Sequence, residues 1–302
     1  MNTKPSIFHP GFKNKYVSFG LGLVSRAFYL FPLFDFCYRL QSRFWKQGYI
    51  RAINYHDVPP DSSASFEAQL SFFRKYFSDV SLDDLDSFIE TGAWHKDKPG
   101  LILSFDDGLR SSYSVVAPLL EKYGYTGWFL IPTQFIDVPA PLQKSYAKEH
   151  LIDYKENFSD GRIAMSWEEI RELEKGHVIV SHTRNHVRLR SGLQKEIMKE
   201  EIIGSKADLE KRLHHEIKCF GWVGGEMTSY DGTAAKYIRE SHYQFALLTK
   251  CGPILPRTSS YQLHRIFLGP DWPNCIVLMH MSGILDILYY PQRKRINTVT
   301  AT

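Results

Sequence analysis

Cysteine is scarce in this chain. Cys37, Cys219, Cys251 and Cys275 are spread over 302 residues, and no two form a CxxC pair. That excludes a disulfide scaffold and a zinc ribbon and leaves reduced, mostly buried thiols as the expectation. Charge of one sign is also lacking: the formal net charge is +4, too small to point to nucleic acid. No GxxxxGK[ST] loop is present, and no GxGxxG follows a strand, which argues against P-loop phosphoryl transfer and dinucleotide chemistry. Internal repeats and low-complexity tracts are missing too. The longest apolar stretch, in the first fifty residues, is interrupted by Arg26, Pro32 and Asp35, so it falls short of the roughly 20 mainly apolar residues of a membrane span. No compact apolar segment precedes a small-residue cleavage site, so a cleavable signal peptide is not expected.

What is present is unevenly distributed. Lys4, Lys13, Lys15, Arg26, Arg39, Arg43 and Lys46 stand against one acid, Asp35, in residues 1–50. That segment is +6 and the rest of the chain 4 − 6 = −2. Phe19, Phe28, Tyr29, Phe31, Phe34, Phe36, Tyr38, Phe44 and Trp45 are interleaved with those basic residues. Residues 1–48 are therefore read as a segment apart, either lying on an anionic membrane surface or forming an amphipathic helix packed on the fold. Residues 49–302 are read as one domain, long enough to bury a single core without staples. The expected location is cytoplasmic, peripheral at the inner face of the membrane.

From Tyr49 onward, strand and helix patterns alternate. Tyr49–Tyr55, Leu101–Phe105, Thr126–Ile131, His177–Val180, Lys218–Val223 and Phe245–Thr249 read as strands. Helical spacing covers 66–77, 82–89, 111–123, 167–174, 192–214 and 232–241, and residues 137–165 read as a loop or short helices over one mouth. About six strand–helix units fit an α/β protein with a parallel sheet, an incomplete (β/α) barrel. In such barrels chemistry gathers at the carboxyl ends of the strands.

There the unusual residues fall. Asp106-Asp107-Gly108 follows one buried strand and His182-x-x-x-His186 another. Each alone is weak, because Asp-Gly favours turns and the chain has 12 histidines. Together they supply two imidazoles and a carboxylate, a three-ligand set that leaves coordination open, with a second carboxylate spare as a general base. Such a set suits attack of water on an amide or ester.

At these residues the chain resembles the polysaccharide deacetylase family, that is, the NodB homology domain or carbohydrate esterase family 4. Leu103-Ser104-Phe105-Asp106-Asp107-Gly108 is similar to the family's first motif, and Gly176 through Ser181-His182-Thr183-Arg184-Asn185-His186 to its second. Ala117-Pro118-Leu119-Leu120 through Trp128-Phe129 and Met165 through Ile170 resemble the elements between. Asn54-Tyr55-His56-Asp57 and Phe66 to Leu85 resemble the opening of the exopolysaccharide-associated branch. The likeness covers about residues 50–270.

The resemblance implies a distorted, incomplete (β/α) barrel of about seven units, NodB-like. It implies Asp106 as catalytic base, and Asp107, His182 and His186 as ligands of a divalent metal, zinc or another. The implied reaction is removal of N-acetyl groups from amino sugars of a polysaccharide or of a lipid-linked glycan precursor, with no nucleic acid partner. Two alternatives accompany it: a non-catalytic carbohydrate-binding or assembly protein on the same fold, and a deformylase of a lipid-linked amino sugar. The third motif departs from the family. It reads Phe220-Gly221-Trp222-Val223-Gly224-Gly225-Glu226, without the Arg that holds the catalytic Asp, and with Gly224 where Tyr is usual. The family's late catalytic His has two candidates, His264 and His280. His56 is a third histidine that could line the site, and Tyr55, Trp167 and Trp222 are aromatics that could meet a sugar.

Overall fold

A computed structural model describes residues 32–155 and 158–301. The described residues contain eight strands: β1 (Ile50–Tyr55), β2 (Ser78–Asp79), β3 (Gly100–Phe105), β4 (Gly127–Ile131), β5 (Val178–Ser181), β6 (Cys219–Gly221), β7 (Phe245–Thr249) and β8 (Leu263–Phe267). Every pairing is parallel. The order β1-β8-β7-β6-β5-β4-β3 closes through a β1–β3 pairing, so seven strands form a ring and β2 lies outside it on β3. The ring has one strand fewer than the eight-unit barrel and is closed by hydrogen bonds. Its thinnest seam is β5–β6, held in register at Ser181 and Phe220 alone.

Side chains alternate across each strand with a period of two. Ile50, Ala52, Ile102, Trp128, Leu130, Val180, Leu247 and Leu263 point inward and pack with Leu85 and Phe88 of the helix Leu82–Thr91. The opposite set, including Ile53, Tyr55, Leu103, Phe105, Phe129, Ile131 and Ile266, packs beneath the surrounding helices. Continuing the inward rows toward the carboxyl ends gives Asn54, Ser104, Asp106, His182, Thr249 and Arg265, all buried. The barrel interior thus changes from apolar to polar along its axis, and the polar end holds the site.

The strands expected from 49 to 249 are found with shifts of a residue or two. Two regions extend beyond those expectations. β8 closes the ring, and three helices, Asn274–Met281, Ile284–Leu288 and Tyr290–Thr300, follow it. The segment 137–165 contains a helix, Ala140–Glu149, and Glu156 and Asn157 within it lie outside the described residues. Of the proposed N-terminal segment, residues 1–31 also lie outside. The remainder forms the helix Leu33–Phe44, whose Phe34 is buried against Phe72 and Tyr76. Among the described residues no helix is long and apolar enough to cross a membrane. All four cysteines are free, with Cys219 and Cys251 buried.

Candidate active site

β3 delivers two adjacent carboxylates that the backbone sends apart. Asp107 adopts a left-handed φ of 75° and Gly108 one of 63°, a turn for which Asp and Gly are suited. Asp106 continues the inward row of β3, while Asp107 swings toward β5. There His182 follows the strand directly, and His186 sits four residues on. The segment between them is an irregular loop rather than a helical turn, with Thr183 at φ 61° and His186 at φ 55°.

A buried acid holds that loop. Glu201, in a wide turn of the helix spanning 195–213, accepts hydrogen bonds from Arg184 N (2.9 Å), Asn185 N (2.8 Å) and Asn185 Nδ2 (2.7 Å). Such single wide turns recur at functional sites. The outcome is that Nε2 of His186 lies 3.0 Å and Nε2 of His182 3.6 Å from Asp107 Oδ1.

The proton positions follow from the other ring nitrogens. His182 Nδ1 is 2.8 Å from Gly221 O, and His186 Nδ1 is 2.7 Å from His150 O. A carbonyl oxygen only accepts, so both Nδ1 atoms donate, and in the neutral rings both Nε2 atoms turn lone pairs inward. Asp107 Oδ1 is buried without a hydrogen-bond donor. Burial by itself would push the Asp107 carboxyl up, but the imidazoles of His186 and His182 outweigh it and hold the carboxyl well below the usual carboxylate range. Burial opposes charge on His186 as well, and Asp107 overcomes it, raising that imidazole. Three electron-pair donors within 4.8 Å of one another, each ring fixed from behind by a carbonyl, fit a small divalent cation.

Asp106 is engaged differently. Arg265 from β8 grips it through both terminal nitrogens, Nη1 to Oδ1 at 2.5 Å and Nη2 to Oδ2 at 3.1 Å. Asn54 Nδ2 reaches Oδ2 at 3.4 Å. Arg265 also donates to Ser104 Oγ (3.0 Å) and Thr249 Oγ1 (3.3 Å). Both partners are buried. The guanidinium fork balances and orients the carboxylate, so of the two acids one faces imidazoles and the other faces an arginine.

A family model for polysaccharide deacetylase matches residues 95–246, which is 152 of the 302 residues. The chain belongs to the polysaccharide deacetylase family. A putative polysaccharide deacetylase, YxkH of Bacillus subtilis (strain 168), is 23% identical over 171 residues, 56% of this chain and 52% of that protein. A poly-beta-1,6-N-acetyl-D-glucosamine N-deacetylase of Escherichia coli (strain K12) is 24% identical over 153 residues, 47% of this chain and 21% of that protein. The matched region therefore spans about half the length of the first relative and about a fifth of the second. Among solved structures, the Streptococcus pyogenes deacetylase PplD in complex with acetate superposes with a TM-score of 0.62 at 18% identity, covering 77% of this chain and 98% of that one. IcaB from Ammonifex degensii gives 0.61 at 19%, covering 78% and 97%. These two share the fold.

Measured against the deacetylase family's motifs, one sequence reading needs correction. The third motif does lack its Arg, yet the base candidate is not left unheld, because Arg265 supplies the guanidinium from β8. An inward Arg broke the apolar alternation of Leu263-His264-Arg265-Ile266-Phe267, so neither the strand nor the residue stood out. Gly224 is a change of backbone as well as of side chain. Its φ is 83°, and a Cβ there would lie 2.7 Å from Ser229 Oγ and 3.0 Å from Arg188 Nε, so a tyrosine does not fit this turn.

The histidine candidates separate. His264 points out of the barrel, away from the row that carries Arg265, with Nε2 bonded to Asn297 Oδ1 at 2.6 Å. Burial drives its pKa down to about 4. His280 lies on the other side. It lines a cavity of about 30 Å³ together with Arg265, Thr249 and Trp272, with Trp272 5.0 Å away ring to ring. His56 packs against Phe267 and adds to the positive field at Asp107. Tyr55, Trp167 and Trp222 are core residues. Tyr55 donates to Gln69 and stacks on Phe105. Trp167 donates to Asp137, and Trp222 is buried between Phe220 and Tyr230.

Proposed function

We propose that this chain is a metal-dependent hydrolase that removes the N-acetyl group from a hexosamine in a glycan, either a polysaccharide or its lipid-linked precursor. The observation that carries the reading is the division of labour between neighbouring acids: Asp107 shares a focus with His182 and His186, while Asp106 is held by Arg265 a residue away. A divalent ion held by Asp107, His182 and His186 would polarise the amide carbonyl and acidify a water. Asp106 then takes the proton of the attacking water, its carboxylate kept in one orientation by Arg265 and Asn54. Gly221 and His150, through their carbonyls, keep the two imidazoles in the ligating tautomer. His280, across the small cavity from Arg265, gives a proton to the departing amine as the C–N bond breaks, leaving acetate and a free amino sugar. Zinc suits two imidazoles and one carboxylate.

The test is product analysis. The chain with its divalent metal is incubated with an N-acetylhexosamine oligomer and with a lipid-linked N-acetyl sugar, and acetate, formate and free amine are quantified. Acetate with stoichiometric amine, lost in Asp106→Asn, supports the reading. Formate released from an N-formyl amino sugar, without acetate from either substrate, would make the chain a deformylase. Tight glycan binding with no product of either kind would make it a binding protein.

A further inference from the structure

The helix Leu33–Phe44 buries one face and, among the described residues, leaves another uncovered. Phe36, Leu40 and Phe44 recur every four residues and so form one stripe, and they are 62%, 53% and 80% exposed. Beside it, the C-terminal helices expose Ile287 (79%), Leu288 (50%) and Tyr290 (56%). The two stripes meet across an apolar groove of about 500 Å³, lined by Leu40 and Trp45 on one side and Ile284, Ile287 and Tyr290 on the other. Soluble monomers seldom expose a contiguous apolar surface of this kind without using it.

The groove is built as a unit. Arg51, pointing outward from the second position of β1, pairs with Asp286 at 2.9 Å and donates to Gln41 Oε1 at 2.6 Å. Gln41 in turn donates to Ser282 O at 2.5 Å. The N-terminal helix and the C-terminal helices are thereby clamped to the same buried guanidinium. Arg51 lies near the amino end of β1, and none of Asp106, Asp107, His182, His186, Arg265 or His280 lines the groove.

Its charge says what covers it. Within residues 32–48 and 283–301 the basic residues are Arg39, Arg43, Lys46, Arg293, Lys294 and Arg295, and the only acids are Asp35 and Asp286. Asp286 is consumed by Arg51, and Asp35 accepts from Tyr76. Arg39, Arg43, Lys46, Lys294 and Arg295 are exposed. An apolar strip flanked by unopposed cations is complementary to a bilayer with anionic headgroups, where the apolar side chains enter the acyl boundary and the cations meet lipid phosphates. We propose that this composite face, half of it supplied by the C-terminal helices, docks the protein on an anionic membrane surface. The proposal is independent of the reaction at the barrel mouth.

The full chain is floated with vesicles of phosphatidylglycerol and phosphatidylcholine, and with phosphatidylcholine alone. Two variants are compared with it: Ile287→Ser/Leu288→Ser/Tyr290→Ser, and Lys294→Glu/Arg295→Glu. All five positions are exposed, and unchanged thermal melts verify folding. The wild type is expected to float with anionic vesicles and not with neutral ones, and each variant to lose tenfold or more in partitioning. Equal flotation of the serine variant and wild type overturns the proposal, because contact would then not involve the C-terminal helices. Wild type that stays with the soluble fraction as a dimer by light scattering also overturns it, assigning the face to a second copy.

Discussion

Arg265 holds Asp106 in a two-point grip from 159 residues further along the chain, and both partners are buried. Removing the cation leaves a buried carboxylate without its counter-charge. Arg265→Met is expected to destabilise the fold by about 4 kcal/mol, the usual cost of breaking a buried pair from one side. Arg265→Lys keeps the charge but not the fork, so Asp106 should lose its orientation and kcat should fall about 100-fold, a typical penalty for misplacing a reacting group by an ångström. Metal content should stay at the wild-type level in the Lys variant. A kcat within twofold of wild type would show that Arg265 does not position the base.

Glu201 touches no reacting atom, yet it holds Arg184 and Asn185 between the two histidines. Glu201→Gln replaces an acceptor pair with a mixed donor and acceptor. Metal affinity, measured by chelator competition, is expected to drop about 10- to 100-fold, as for other groups that orient ligands. The melt of the metal-free protein should change far less. Loss of stability with unchanged metal affinity would give Glu201 a purely structural role.

His264 makes stability sensitive to acid. Its folded pKa of about 4 lies below the ordinary imidazole value, so between about 6.5 and 4 the unfolded chain binds the extra proton and folding weakens as pH falls. The contribution is fully present above about 6.5, and about 3 kcal/mol of it is lost by the time the pH has fallen through about 4. Urea unfolding at pH 7.5 and 4.5 should show a smaller drop in His264→Gln than in wild type. Activity of that variant at pH 7.5 should be close to wild type, since the ring faces away from the site.

Gly221 is a third-motif glycine with a steric reason. A Cβ there would lie 2.1 Å from Leu130 Cδ2 and 3.3 Å from His182 Nδ1. Gly221→Ala should cost about 1–3 kcal/mol through overpacking and weaken metal binding by shifting the carbonyl that orients His182. Denaturant melts and metal titration read the two effects separately.

Much of this was legible locally. Leu101–Phe105 ahead of Asp106-Asp107-Gly108, and Val178–Ser181 ahead of His182, are short apolar runs ending in turn or ligand residues, so strands and site could be read together. What escaped depended on contacts far apart in sequence. Arg265 sits inward on a strand whose alternation it breaks, and its partner is set by barrel closure through β1. Glu201 looks like one more charge on a solvated helix until the wide turn at 200–204 directs it inward. The convergence of His182 and His186 comes from two left-handed residues, which spacing alone does not reveal.

Deacetylation at this site requires that Asp107, His182 and His186 hold a divalent ion. The direct test is metal content measured with acetate release, on wild type and Asp107→Asn, using an N-acetylhexosamine oligomer and a lipid-linked N-acetyl sugar. Wild type is expected to hold about one divalent ion per chain, as three ligands with an open position require, and to release acetate, with both properties lost in the variant. Folded wild type that takes up no divalent ion, or an Asp107→Asn variant that releases acetate at the wild-type rate, would contradict it.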